Sequence, residues 1–304
     1  MNTVFKYMDF LGLEYFDEPT FRISLVEQLN DPFESNLSKT IEHIAKEYAK
    51  TISKKGLGKS EEILSRHAKS FISSALMGVG VISFSETHRN LLMWSHYSND
   101  HKGICIEVET DWCKSKKRLS DTYSNVIHTF KRVQYDSRRV DFSEMNELNL
   151  SEFEIALIDI CVKQLTLKSD EWMYEKEHRY ILSFLEADYI KRIKYPFMNE
   201  DYRKTIEELA KEIGIVEGEK GYHTTNCTEL DIFYKTYLSK AYMYLNKVPA
   251  NKIKRIYLGH RFSVIDAQAL INNIKQKDHP LNHVELYKCS ISNERFELNT
   301  KKIY

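Results

Sequence analysis

The chain has 304 residues and balances 44 Lys and Arg against 44 Asp and Glu. That length buries a substantial core without disulfide or metal staples, and the cancelled charge leaves no global field to draw the chain onto nucleic acid or an anionic membrane. The five cysteines, Cys105, Cys113, Cys161, Cys227 and Cys289, form no C-x-x-C pair, which argues against a zinc knuckle and a secreted disulfide framework and predicts reduced, buried thiols.

In chain order, Met1–Phe10 mixes Lys6 and Asp9 into its apolar positions and so lacks the regions of a signal peptide. Thr20–Ser24 alternates like a strand, and Asn30-Asp31-Pro32 breaks the chain into a turn. Within 36–77, Ile41, Ile44, Ala45, Tyr48 and Ile52, then Ile63, Leu64, Phe71 and Ile72, recur at helical spacing and predict a helical pair. Phe71–Phe84 is the longest apolar-leaning run and is too short and too rich in Ser and Gly to span a bilayer. A cytoplasmic protein with no membrane partner is expected.

From Val79 a buried strand runs to Ser85, followed by a short aromatic segment, Leu91–Tyr97, and a polar turn over Ser98–His101. Gly103 is read there as supplying an unusual backbone angle. Ile104, Ile106 and Val108 alternate with Cys105, Glu107 and Glu109, a clear strand pattern. Further strands are expected over Val126–Tyr135 and around Tyr180–Leu182, and a helix from Ser151 with an apolar face of Phe153, Leu157, Ile160, Cys161 and Leu165. Residues 195–230 read as a charged helical insertion with a loop over Gly214–Asn226. Beyond it, Ala241–Asn246 and Ile253–Leu258 are strands, Ser263 caps a helix reaching Lys275, and Val284–Cys289 and Arg295–Asn299 close the pattern. Irregular grouping of strands and helices predicts an α+β fold, with a mixed, largely antiparallel sheet, packed helices and one domain over 1–304.

Lys6-Tyr7, Leu29-Asn30-Asp31-Pro32-Phe33-Glu34, Ser83-Phe84-Ser85, Met93-Trp94-Ser95-His96-Tyr97 and His101-Lys102-Gly103 lead an ordered set. Trp172, Glu175, Glu177, Arg179 and Ile256-Tyr257-Leu258-Gly259 complete it. The set is similar to the signature of the domain of unknown function 2971 family and covers nearly the whole chain. That name implies no chemistry. Within the set, Arg22, Ser83-x-Ser85 and Glu175-x-Glu177 resemble the R-S-E signature of ADP-ribosyltransferases.

The resemblance implies NAD as co-substrate and a macromolecular target, in a toxin or phage-defence role. Glu177 would stabilise the oxocarbenium-like state as the glycosidic bond breaks. Glu175, on the same side of an extended segment, would orient or deprotonate the acceptor, and Arg22 would grip a phosphate or ribose. Ser83 and Ser85 would bond ribose or brace Glu177, Trp94 and Tyr97 would wall the nicotinamide, and His96 would transfer protons. The plain alternative for each is structural: a salt-bridged strand edge at Glu175–Arg179, and a Trp-His-Tyr core cluster. A metal is not expected, since His96 and His101 lack the one-face spacing of a zinc helix. Two rivals remain open: a Mg²⁺-dependent nuclease using Asp31, Glu34, Glu175 and Glu177 with Lys163 or Lys168 on phosphate, and a non-catalytic sensing module.

Overall fold

The structure is a computed structural model that describes residues 2–36, 43, 50, 62–63, 65–66, 79–115, 129–139, 162–183, 187–192, 200–212, 215–218, 221–224 and 242–304. Its strands are Thr3–Met8 (β1), Thr20–Leu25 (β2), Val79–Ser85 (β3), Ile104–Glu109 (β4), Thr129–Arg132 (β5), Gln134–Tyr135 (β6), Leu167–Lys168 (β7) and Glu177–Ser183 (β8). Tyr189–Arg192 (β9), Ile215–Gly218 (β10), Gly221–Thr224 (β11), Tyr242–Lys247 (β12), Ile253–Leu258 (β13), Glu285–Ile291 (β14) and Leu298–Lys302 (β15) follow. The helices are Leu91–Tyr97 (α1), Glu200–Glu212 (α2) and Val264–Ile274 (α3).

One 13-stranded sheet runs in the order β10-β11-β9-β12-β2-β3-β1-β4-β13-β14-β15, with β8 pairing to β3 and β5 to β8. Its pairs are antiparallel except β13 with β14, which α3 joins as a crossover; β6 and β7 form a separate parallel ribbon. This is the mixed, largely antiparallel sheet of an α+β fold.

Side-chain alternation on β4 shows how the layers assemble. Ile104, Ile106 and Val108 join the main core, which also takes Ala267, Leu270, Ile271 and Ile274 of α3. Those four recur at helical spacing behind a Ser263 cap whose hydroxyl accepts from the Asp266 N–H. On the opposite face Cys105 packs with Tyr7, Met93, Trp94, Tyr257 and Cys289 under α1. The thiols of Cys105 and Cys289 are free and buried, and burial pushes both above their usual pKa.

Several expectations shift. The β1 strand had no predicted counterpart, because Lys6 interrupts its apolar pattern. The strand expected over Val126–Tyr135 is divided at Val133 into β5 and β6, although the Val133 N–H still bonds the Glu177 carbonyl at 2.9 Å in line with the β5–β8 register; residues 126–128 lie outside the described residues. The loop expected over Gly214–Asn226 contains a hairpin, β10–β11, that docks on β9 and extends the sheet; β-branched Ile215 and Val216 favour it. The last strand starts three residues later than expected, at Leu298, because Ser292 closes a turn on Glu297. Most of the predicted 36–77 helical pair, and residues 153, 157, 160 and 161 of the predicted later helix, lie outside the described residues.

The turn after α1 also differs from expectation. Positive φ falls on Asn99 (46°), Asp100 (50°) and His101 (66°), not on Gly103. Gly103 and Gly259 are required for closeness: a Cβ on Gly103 would stand 2.3 Å from the Met8 carbonyl oxygen, and one on Gly259 2.0 Å from that of His101. Backbone bonds Gly259 N–H to Gly103 O (3.0 Å) and Arg261 N–H to His101 O (3.1 Å) hold the two loops there. Gly259→Ala is therefore expected to destabilise the protein by about 1–3 kcal/mol or more through overpacking, seen as a lower midpoint in thermal denaturation.

Candidate functional site

The site arises from a conflict of strand register. On one edge β3 pairs along its length with β8. On the other, β2 pairs at Gly80 and Val81 while β1 pairs at Ser85. Extending the two antiparallel registers brings both Tyr7 and Arg22 opposite Ser83. No strand edge accepts two partners at one position, so β1 and β2 splay apart. The Ser83 carbonyl, stripped of a ladder partner there, accepts instead from Lys6 Nζ at 2.9 Å. A cavity of about 350 Å³ opens at this split.

Lys6, Arg22, Glu34, Ser83, Ser85, His96, Tyr97, Lys168, Glu175, Glu177 and Arg179 all line it. Ser85 stands opposite Glu177 and Ser83 opposite Arg179 across β3 and β8, so these side chains share one face. Glu175 reaches the site by another route. It ends a 3₁₀ turn, Asp170–Glu175, and Lys176 follows in the left-handed region at φ 45°. The expected extended Glu175-Lys176-Glu177 segment is thus a sharp reversal that lets two carboxylates converge from different elements.

The carboxylates are embedded in a buried ion network. Arg179 donates from Nε to Glu177 Oε1 (2.8 Å), from Nη2 to Glu177 Oε2 (2.9 Å) and to Glu34 Oε1, and from Nη1 to the Leu165 carbonyl (2.7 Å). Lys168 Nζ lies 2.7 Å from Glu175 Oε2 and 3.5 Å from Glu177 Oε2, over the ring of Trp172. Tyr97 donates its hydroxyl to Glu175 Oε1 and accepts from Asn30 Nδ2 at 3.0 Å. Glu34, Lys168, Glu175, Glu177 and Arg179 are each no more than 5% exposed, so every charge needs its partner.

Protonation follows from these contacts. Burial alone would raise the Glu177 pKa, but the Arg179 and Lys168 charges and hydrogen bonds from Arg179 and Ser83 overrule it and hold the group at about 2. Burial dominates at Glu34 and raises its pKa despite Arg179; its Oε2 is buried without a protein partner. Lys6 is lowered to about 8, chiefly by burial and further by Arg22, against the pull of Glu177. Tyr97 is held above its usual range by burial and by the charge of Glu175.

Most of the predicted site residues meet here, and one does not. Arg22, Ser83, Ser85, His96, Tyr97, Glu175 and Glu177 share the cavity. His96 is exposed, with Nδ1 3.2 Å from the Tyr174 hydroxyl. The Ser85 hydroxyl is spent on the Glu175 carbonyl at 2.8 Å and braces that residue rather than facing ribose. Trp94 is fully buried beneath the cavity, edge-on to Tyr7 with its indole N–H given to the His88 carbonyl at 2.7 Å; it does not wall a ligand. Of the carboxylates named in the nuclease reading, Glu177 and Glu34 Oε1 contact Arg179 and Glu175 contacts Lys168, while Glu34 Oε2 has no hydrogen-bond partner. Asp31 turns its Oδ1 to the Phe33 N–H at 2.9 Å, Lys168 is buried in the network, and Lys163 is exposed. Sequence reasoning missed Lys6, and it missed Arg179 as the centre of the network.

Comparison with known proteins adds one match. Residues 93–180 fit the model of a family described as Protein of unknown function (DUF2971). Over this segment, under a third of its length, the chain is similar to that family. No curated protein and no solved structure matches the chain. The matched segment supplies α1 from Met93 onward, Lys168, Glu175, Glu177 and Arg179, most of the acidic wall with its counter-ions. Lys6, Arg22, Glu34, Ser83 and Ser85 come from outside it.

Proposed function

We propose that the cavity is the reaction centre of an ADP-ribosyltransferase-like enzyme that uses NAD to modify a macromolecular target in the cytoplasm, as a bacterial toxin or antiviral effector. The observation that carries this reading is the convergence of Arg22, Ser83, Glu175 and Glu177, from distant parts of the chain, on one cavity with Glu177 held ionised. Convergent polar groups with perturbed protonation in a concavity are what a reaction centre requires.

In this reading the bond between nicotinamide nitrogen and ribose C1′ breaks heterolytically. The electron pair leaves with nicotinamide, which becomes neutral, and positive charge develops on the ribose. A buried carboxylate stabilises that charge far more than water does, and Glu177 is pre-oriented for it by Arg179 and Ser83. The acceptor's lone pair then closes on C1′, and its proton leaves toward Glu175, whose other contacts are Tyr97 and Lys168. Glu34 Oε2 offers a further hydrogen-bonding atom to a ribose hydroxyl or carboxamide.

The test is incubation of the purified full chain with NAD, following nicotinamide release and ADP-ribose incorporation in the presence of cell extract as acceptor source. Release and incorporation are expected. Protein that neither binds NAD nor releases nicotinamide under either condition removes the proposal, and binding without turnover favours a sensing module.

A further inference from the structure

The charges lining the cavity are unevenly compensated. At one end Glu34, Glu175 and Glu177 are matched by Lys168 and Arg179 at hydrogen-bond distance. At the other, Lys6 and Arg22 approach from β1 and β2, the two strands that splay at Ser83. Among the described residues neither is ion-paired: Lys6 Nζ donates to the Ser83 carbonyl and sits over the Phe84 ring at 5.7 Å, and Arg22 Nη2 donates to Gln28 Oε1 at 3.0 Å. An ammonium has three donors and a guanidinium five, so both keep unspent donors beside the cavity they line.

We propose that Lys6 is a binding residue for a pyrophosphate-linked nucleotide, completing with Arg22, whose phosphate role the R-S-E resemblance already implies, the seat for the phosphate-bearing part of the ligand. The inference rests on reading the cavity as a nucleotide site, and deepens it by naming the end at which the anion lies. Two cations on diverging strands, within electrostatic reach of one another and without a carboxylate in contact, are a repulsive arrangement that a bound dianion relieves. The same physics explains why Lys6 loses its proton more readily than a surface lysine, at about 8, with burial as the largest cause and Arg22 adding to it. The negative charge of a dianion beside it favours the ammonium and opposes both effects, so binding and protonation of Lys6 reinforce each other.

The seat therefore titrates. Lining the cavity with Lys6 are Arg22 from β2, Glu34 from the turn after it, His96 and Tyr97 from α1, Lys168 from β7, Glu175 from the 3₁₀ turn, and Glu177 and Arg179 from β8. Of these, Glu177 stays ionised at pH 7 and above because its pKa lies far below that window, and Arg179 is pushed further up by its carboxylates. The pyrophosphate diester of ADP-ribose stays dianionic over the same window.

The experiment is calorimetric titration of the full chain with ADP-ribose, and with nicotinamide as a neutral probe, at pH 7.0 and 9.5, for the wild type, Lys6→Met and Lys6→Arg. Lys6→Met is expected to weaken ADP-ribose by about tenfold or more while leaving nicotinamide unaffected. Wild-type affinity for ADP-ribose falls from pH 7.0 to 9.5, and Lys6→Arg, charged throughout, binds at both. Equal ADP-ribose affinity in wild type and Lys6→Met, a wild-type affinity indifferent to pH, or no ADP-ribose binding overturns the seat. If Lys6→Met does not fold, the pH profiles of wild type and Lys6→Arg decide alone. Lys6-dependent ADP-ribose binding without NAD turnover leaves the seat standing and refutes the transferase; turnover with binding indifferent to Lys6 does the reverse.

Discussion

Glu177→Gln is expected to lower nicotinamide release by at least about 10²- to 10³-fold, the effect of removing one pre-oriented electrostatic contact from a transition state. Gln matches Glu in shape, and Arg179 keeps Glu34 and the Leu165 carbonyl as partners. The change therefore removes the charge without emptying the site. The loss belongs in kcat more than in KM, because ground-state NAD carries no oxocarbenium. Glu175→Gln separates the two carboxylates: transfer to a macromolecule is expected to fall more than release to water, since Glu175 acts on the acceptor. Quantifying free nicotinamide and incorporated label in parallel, with circular dichroism to verify folding, checks both. Equal loss of the two activities in Glu175→Gln contradicts the division of roles.

Arg179→Met is expected to destabilise the protein by about 3–5 kcal/mol, because it strands two buried carboxyls. The deficit depends on pH in a direction set by the site. In the wild type, Glu177 is held at about 2 against an ordinary 4.5. Its stabilising contribution is therefore complete above pH 4.5 and is lost as pH falls from 4.5 to 2. Glu34 is raised, so its neutral form favours the folded state, and its contribution grows as pH falls toward 4.5. Without Arg179, burial drives Glu177 upward as well. Both carboxyls then prefer protonation in the folded chain, and the deficit of the variant shrinks from pH 7 toward pH 4. Denaturant unfolding of both proteins at pH 4, 5.5 and 7 reads this directly; a deficit that grows on acidification contradicts the network.

Legibility in the sequence tracked local period. β4, α3 and most of β3 were readable because each carries an apolar face at one spacing, 2 or 3.6 residues. β1 and the β10–β11 hairpin were not. In β1 a lysine stands where the apolar pattern asks otherwise, and the β10–β11 hairpin is short and joins the sheet by pairing to β9. At the site, residue types and order pointed to Arg22, Ser83, Glu175 and Glu177. Trp94 was misassigned because sequence does not say which side of a short helix meets the sheet; in α1 that side carries Met93 and Trp94. Arg179 read as part of a salt-bridged strand edge, and burial turned it into the hub of three carboxylate contacts.

What the sequence by itself determined is the α+β class, the free and buried character of Cys105 and Cys289, and the likeness of residues 93–180 to the DUF2971 family, because these follow from composition, local periodicity and short ordered motifs. The tertiary structure alone decided that β1 and β2 compete for the same edge of β3 at Ser83. That competition is a register relation between segments far apart in the chain, invisible to any local pattern. It opens the cavity, frees the Ser83 carbonyl for Lys6, and sets an uncompensated cationic end against an acidic wall already matched by Arg179 and Lys168.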